Sequence, residues 1–138
     1  MREVAVLIDR KGNPIYWHVP DSAHASSVEI QDDPKLWDAI WTNRDNLMGI
    51  AHSHPGRGIP APGGADAVAY NAIETALDRL DKRLVWWVCS LDGLVLAGWC
   101  GPGKYDYRTY VVKSASWLPR LRILTDYGMP VPERPARV

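Results

Sequence analysis

Ile50-Ala51-His52-Ser53-His54-Pro55, followed by the loop Gly56-Arg57-Gly58-Ile59-Pro60-Ala61-Pro62-Gly63-Gly64 and then Asp66, is the stretch whose reading decides the fold. Ile50 to His54 has the character of a short strand. From Asp66 onward Ala69, Ala72, Ile73, Ala76, Leu77 and Leu80 recur at helical spacing, which predicts a helix ending near Asp81-Lys82. The apolar run Leu84 to Ser90 predicts a second strand. Strand, loop, helix and strand in succession imply an α/β domain. Side chains alternate along a strand, so His52 and His54 share one face and Ser53 takes the other. Two imidazoles on one face can converge on one ion. Asp66, at or next to the helix N-terminus, is then either a simple N-cap, a role worth about 1 kcal/mol, or a third ligand.

Upstream, Val4 to Ile8 and Ile15 to Val19 read as two strands of a hairpin, with Arg10-Lys11-Gly12-Asn13-Pro14 as turn material. His18 and His24 have no partner at ligand spacing and read as ordinary surface or half-buried histidines. Asp32-Asp33-Pro34 is a helix-start signal. Leu36, Trp37, Ile40 and Trp41, then Leu47 and Met48, continue one apolar face of the helix it opens. Downstream, Leu84 to Ser90 and Leu94 to Cys100 form a hairpin if Asp92-Gly93 is a two-residue turn. That register opposes Cys89 to Leu96 and Cys100 to Val85, and it makes both cysteines buried free thiols too far apart to bridge. Tyr105 to Val112 is a further strand, and Leu118 to Thr125 a short helix. The expected architecture is one domain, a mixed sheet with helices packed on it. Its main part spans 1–118, and 119–138 holds the short helix and a Pro-rich tail without fixed order.

The whole-molecule charge balances, with 16 basic and 16 acidic residues. Its field therefore gives no reason to expect nucleic acid or an anionic membrane as partner. No apolar run approaches the roughly 20 residues of a membrane span, and the N-terminal residues lack the pattern of a signal peptide, so the sequence reads as cytoplasmic. Two cysteines are too few for a disulfide framework.

Two neutral imidazoles and a carboxylate leave one position of a tetrahedral ion open to water, the pattern of a catalytic zinc site. Such an ion lowers the pKa of its water to about 7 and polarises a scissile carbonyl. Hydrolysis of this kind also needs a general base, a task suited to Glu. Of Glu3, Glu29, Glu74 and Glu133, the last lies in the tail. Glu74 stands about 12 Å along its helix from Asp66 by helical rise. Glu3 and Glu29 remain.

With these residues in place the chain resembles the JAMM metalloproteases, the catalytic branch of the MPN domain family. Their pattern is an upstream Glu, His-x-His-Pro, a loop, and Ser-x-x-Asp. The resemblance runs from Glu3 to about Val112. It implies the MPN-like, cytidine-deaminase-like α/β fold, one Zn2+ per chain on His52, His54 and Asp66, and Glu3 as the catalytic carboxylate, because Glu3 stands just before an apolar strand as the family's Glu does. It implies cleavage of an amide bond, often one after the C-terminal tail of a ubiquitin-like protein. The sequence departs from the pattern in three ways. Gly63 replaces the Ser that helps stabilise the oxyanion, the loop is one residue longer, and the helix preceding the family's first strand has no counterpart. The last departure points either to a partner, such as a second copy, covering the sheet face near the N-terminus or to a trimmed domain. The alternative is an MPN-type binding or scaffold module that keeps the metal but has little catalysis, as Gly63 would permit.

Overall fold

The computed structural model describes residues 2–20 and 33–127. Nine elements follow in order: β1 (Ala5–Asp9), β2 (Pro14–His18), α1 (Pro34–Thr42), β3 (Leu47–Ser53), α2 (Gly64–Ala76), β4 (Val85–Cys89), β5 (Leu94–Trp99), β6 (Tyr107–Val111) and α3 (Leu118–Thr125). The six strands form one mixed sheet in the order β2-β1-β3-β4-β5-β6, with β3 and β4 parallel and every other pair antiparallel. This is the α/β class expected.

Continuous apolar runs become the interior strands because both faces of the sheet are covered. One core layer joins Leu7, Ile50 and Trp86 of the sheet to Leu36 and Ile40 of α1 and Tyr70 and Ile73 of α2. On the opposite face Val6, Ala51, Trp87 and Leu94 pack against Trp117, Leu118 and Leu121 at α3. The helix after residue 118 thus fills the second core layer. Gly49 allows β3 and β4 to close up, since a Cβ there would stand 1.9 Å from the Val85 carbonyl oxygen.

Helix α1 begins as expected. Asp33 caps it, accepting the N–H of Lys35 at 2.9 Å and of Leu36 at 3.3 Å, with Pro34 in the first turn. It ends sooner than its periodicity suggests. Asn43 caps Thr42, the polar residues 43–46 turn the chain, and Leu47 and Met48 belong to β3. Trp41 is left 45% exposed. The other carboxylate oxygen of Asp33 meets His18 Nε2 at 2.9 Å, which supplies the partner that spacing did not reveal. Helix α2 stops at Ala76 with Leu77 as its cap, so Leu80 is exposed rather than on the buried stripe.

The β4–β5 register also differs from expectation. Cys89 opposes Leu94, not Leu96, because the connection takes all of Ser90–Gly93. Ser90 supplies the reason: its N–H donates to the Gly93 carbonyl at 2.9 Å and its hydroxyl accepts the Gly93 N–H at 2.9 Å, closing a longer turn. Cys89 is a buried free thiol as expected. Cys100 is free but exposed, because β5 ends at Trp99. Glu29, His24 and the 129–138 tail lie outside the described residues. Among the described residues no helix is long and apolar enough to cross a membrane.

Candidate metal centre

The centre is built by strand register. β1 runs antiparallel to β3 with Ala5 opposite His52. Continued past the strand end, the same register sets Val4 opposite Ser53 and Glu3 opposite His54. Ser53 enforces this: its N–H donates to the Val4 carbonyl at 3.0 Å, and its hydroxyl accepts the Val4 N–H at 2.9 Å. Ser53 points away from the histidines, as strand alternation requires, and is fully buried. The ligand-capable atoms of Glu3, His52 and His54 consequently lie within 4.8 Å of one another. The two imidazoles stand edge to face, 5.0 Å between centroids.

Asp66 stands outside that trio and reaches it through His54, with Oδ2 3.0 Å from Nε2. The same oxygen accepts the Gly63 N–H at 2.8 Å, so Asp66 closes the N-terminus of α2 in reverse, from the third helical position. Asp66 thus caps the helix from its third position rather than as the N-cap itself, and the same oxygen faces the His54 imidazole. The Gly63 N–H is spent on that contact. Gly63 itself is extended (φ −81°, ψ 177°), and a Cβ there would approach nothing closer than Asp66 Oδ2 at 3.8 Å, so a side chain fits.

The electrostatics divide the histidines. Burial lowers the pKa of His52 to about 4, with His54 adding to the shift and Asp66 opposing it. The hydrogen bond to Asp66 raises the pKa of His54 despite its partial burial, and Glu3 adds to the rise. Burial works to raise the Asp66 carboxyl, but His54, His52 and the Gly63 N–H outweigh it and hold it below its ordinary value. His52 is thus neutral at physiological pH, the form that binds a metal.

Tyr70 is a member that sequence reasoning missed. Its hydroxyl lies 2.7 Å from His52 Nε2, and its ring stacks on Trp86 at 4.0 Å. Burial raises its pKa, so it stays a neutral phenol. The signal was present: Tyr70 follows Asp66 by four residues and must share its helix face. Four further along, Glu74 is fully buried. It accepts from the Leu84 N–H, Trp86 Nε1, Arg83 Nη1 and the Tyr107 hydroxyl. That saturation makes it a structural anchor rather than a base.

The loop between His54 and α2 is held by the β4–β5 connection. The Gly58 N–H donates to Asp92 Oδ1 at 2.6 Å, Ser90 Oγ donates to the Gly58 carbonyl at 2.6 Å, and the Leu91 N–H donates to Gly56 at 2.9 Å. Gly56 and Gly58 both take positive φ, 95° and 88°.

Imidazole nitrogens and carboxylate oxygens, one histidine held neutral by burial, form a donor set suited to a divalent ion. The cluster of Glu3, His52 and His54 could hold one. Comparison with models of known protein families and with curated proteins finds no match for this chain.

Proposed function

We propose that the chain is a JAMM-type, MPN-like zinc metallopeptidase or isopeptidase, acting on an amide bond at the C-terminal tail of a ubiquitin-like protein or a similar peptide. The observation that carries the reading is the convergence of Glu3 on His52 and His54, residues distant in sequence that a single antiparallel register brings within 4.8 Å. Zinc held by His52, His54 and Asp66 would supply Lewis-acid activation of water and of the scissile carbonyl. Glu3 takes the proton of the attacking water and hands it to the leaving amine. Tyr70 holds the His52 imidazole in place, and the loop that follows His54 is itself held by Ser90 and Asp92.

A second reading of the same centre is favoured by the composition of the trio. Glu3, not Asp66, is the carboxylate grouped with both histidines. In that reading Glu3 is a ligand and Asp66 orients His54, as carboxylates commonly orient metal-bound histidines. The scaffold alternative rests on Gly63.

Elemental analysis of the purified protein, together with cleavage of ubiquitin-like fusions, separates these readings. The enzyme reading expects about one zinc per chain, none after His54→Ala, and full zinc but no hydrolysis after Glu3→Gln. Retention of metal by His54→Ala would sink the centre. Loss of metal in Glu3→Gln with retention in Asp66→Asn would make Glu3 the ligand, and zinc without hydrolysis of any fusion would leave the binding module. If Glu29→Gln alone abolished hydrolysis, Glu3 would not be the base.

A further inference from the structure

At the other end of the sheet from the histidines lies a cleft of about 300 Å³ lined by Arg10, Leu47, Met48, Arg79, Lys82, Arg83 and Val85. Four of these seven side chains are cationic and none is acidic. The cations come from the β1–β2 turn and the segment between α2 and β4, and the apolar residues from the starts of β3 and β4. Leu47 is five residues before His52, about 17 Å away by strand rise. The cleft is therefore separate from the metal centre.

Three of the cations are fixed before any ligand arrives. Arg10 Nε donates to the Asp45 carbonyl at 3.1 Å, Arg79 Nε and Nη1 donate to the Lys82 and Leu47 carbonyls at 2.6 and 3.2 Å, and Arg83 Nε donates to Leu80 at 2.9 Å. Backbone carbonyls orient these guanidinium groups without neutralising them. Among the described residues only Arg83 of the four has a carboxylate partner, Glu74 at 3.1 Å. Burial first, and then the like charge of Arg10, lower the pKa of Arg79, with the Glu74 carboxylate opposing but not reversing the shift. In a chain of zero net charge, Arg10, Arg79 and Lys82 gathered on one cleft without an ion-pair partner among the described residues call for an anion.

We propose that this cleft binds a small phosphorylated molecule, its phosphoryl group held by Arg10, Arg79 and Lys82 and its organic portion lying on Leu47, Met48 and Val85. A phosphoryl dianion matches more than one fixed guanidinium fork, whereas a lone carboxylate satisfies one. The volume stands at the lower bound of small-molecule sites, larger than a phosphate ion alone requires. Arg83, committed to Glu74, adds field rather than a free fork.

Calorimetric titration at about 150 mM salt with adenosine monophosphate, glucose 6-phosphate, inorganic phosphate and the unphosphorylated adenosine and glucose tests this. The expected result is 1:1 binding of at least one organic phosphate with Kd below about 1 mM, about tenfold tighter than inorganic phosphate, and none of the unphosphorylated compounds. Lys82→Gln and Arg10→Gln, both at exposed positions, should each weaken it about fivefold to tenfold, Lys82→Gln without shifting the melting temperature and Arg10→Gln with only the small shift that losing one exposed hydrogen bond to Asp45 brings. Arg79→Gln also loses two backbone hydrogen bonds, so its binding is read alongside its own melting curve. His54→Ala should leave the Kd unchanged, which keeps this site independent of the metal centre. Absence of binding, equal binding of inorganic phosphate, indifference to Arg10→Gln and Lys82→Gln, or loss in His54→Ala would each overturn the proposal. Binding confined to a nucleic-acid oligonucleotide would overturn it too, replacing the small-molecule site with a polyanion surface.

Discussion

At its carboxyl end β3 delivers His52 and His54 to two carboxylates, Glu3 and Asp66; at its amino end Leu47 and Met48 floor a cleft walled by Arg10, Arg79, Lys82 and Arg83. One end gathers donors suited to a cation, the other gathers cations. Helix α2 accounts for part of the separation, since an acid in its first turn and a base beyond its last both suit the helix dipole. Glu3, the histidines and Arg10 lie on or beside the sheet and owe nothing to that dipole. The carboxyl end is also where open α/β sheets usually hold ligands. A balanced total charge thus conceals two oppositely charged regions joined by a single strand.

The sharpest way to break the contrast runs along α2, where Asp66 and Glu74 face the same side. Glu74 is the saturated carboxylate, so Glu74→Ala should lower stability by about 3–5 kcal/mol in urea unfolding, because Arg83, the Trp86 indole N–H and the Leu84 N–H lose their acceptor. Asp66→Asn should cost far less and show mainly in metal content. Equal losses for the two would erase the distinction between anchor and site.

The next effect is pH-dependent and concerns the metal-free protein. With a folded pKa of about 4 against an ordinary 6.5, His52 contributes stability that is fully present above about pH 6.5 and lost as pH falls toward 4, on the order of 3 kcal/mol. His54 has the opposite sign. Its raised pKa contributes stability that is complete below about 6.5 and lost as pH rises through its folded value, so it is constant within the acid window. Asp66, lowered from 3.8, acts only below that window. Urea unfolding between pH 6.5 and 4 should therefore show the slope, and His52→Gln should flatten it. Metal binding should follow His54 instead, weakening as pH drops below its raised pKa.

Smaller again is Ser53→Ala, which leaves the buried Val4 N–H without its hydroxyl partner and should cost about 1–3 kcal/mol. Hydrolysis should fall more than metal content if Glu3 is the base, because the substitution loosens the strand beside Glu3 and leaves the histidines in place. Smallest in stability is Gly63→Ser, within about 0.5 kcal/mol, since the backbone there is unstrained and Ser caps as well as Gly. Its hydrolytic rate should rise on the order of 10²-fold if a hydroxyl is the missing oxyanion donor. An unchanged rate would mean that another donor already serves.

Much of this arrangement was legible in the sequence because local rules and tertiary packing agree. Strand alternation set His52 and His54 on one face, and Asp66 fell at a helix start. Leu47 and Met48 misled because they continue a helical period by coincidence, across four polar residues that end the helix. The Asp92-Gly93 turn misled because Ser90 offers its hydroxyl to a wider one, an option that a two-residue signal does not reveal. The Glu3–His54 opposition depends on β1 pairing with β3, a long-range choice with no local trace. The basic cleft was unreadable for the same reason: its cations are scattered between Arg10 and Arg83, and only the sheet order collects them.

The residues flanking Glu3 are tied to the far end of the chain. Arg2 donates its backbone N–H to Thr125 at 3.0 Å and its Nε to the Leu124 carbonyl at 2.9 Å, while Thr125 Oγ1 lies 2.8 Å from the Ser53 hydroxyl that holds Val4. During synthesis Glu3 emerges well before Leu124 and Thr125, which hold its neighbour Arg2 from 122 residues further along. Docking of α3 adds a second hold, on Arg2 and on the Ser53 hydroxyl, to the β1–β3 register that sets Glu3 opposite His54.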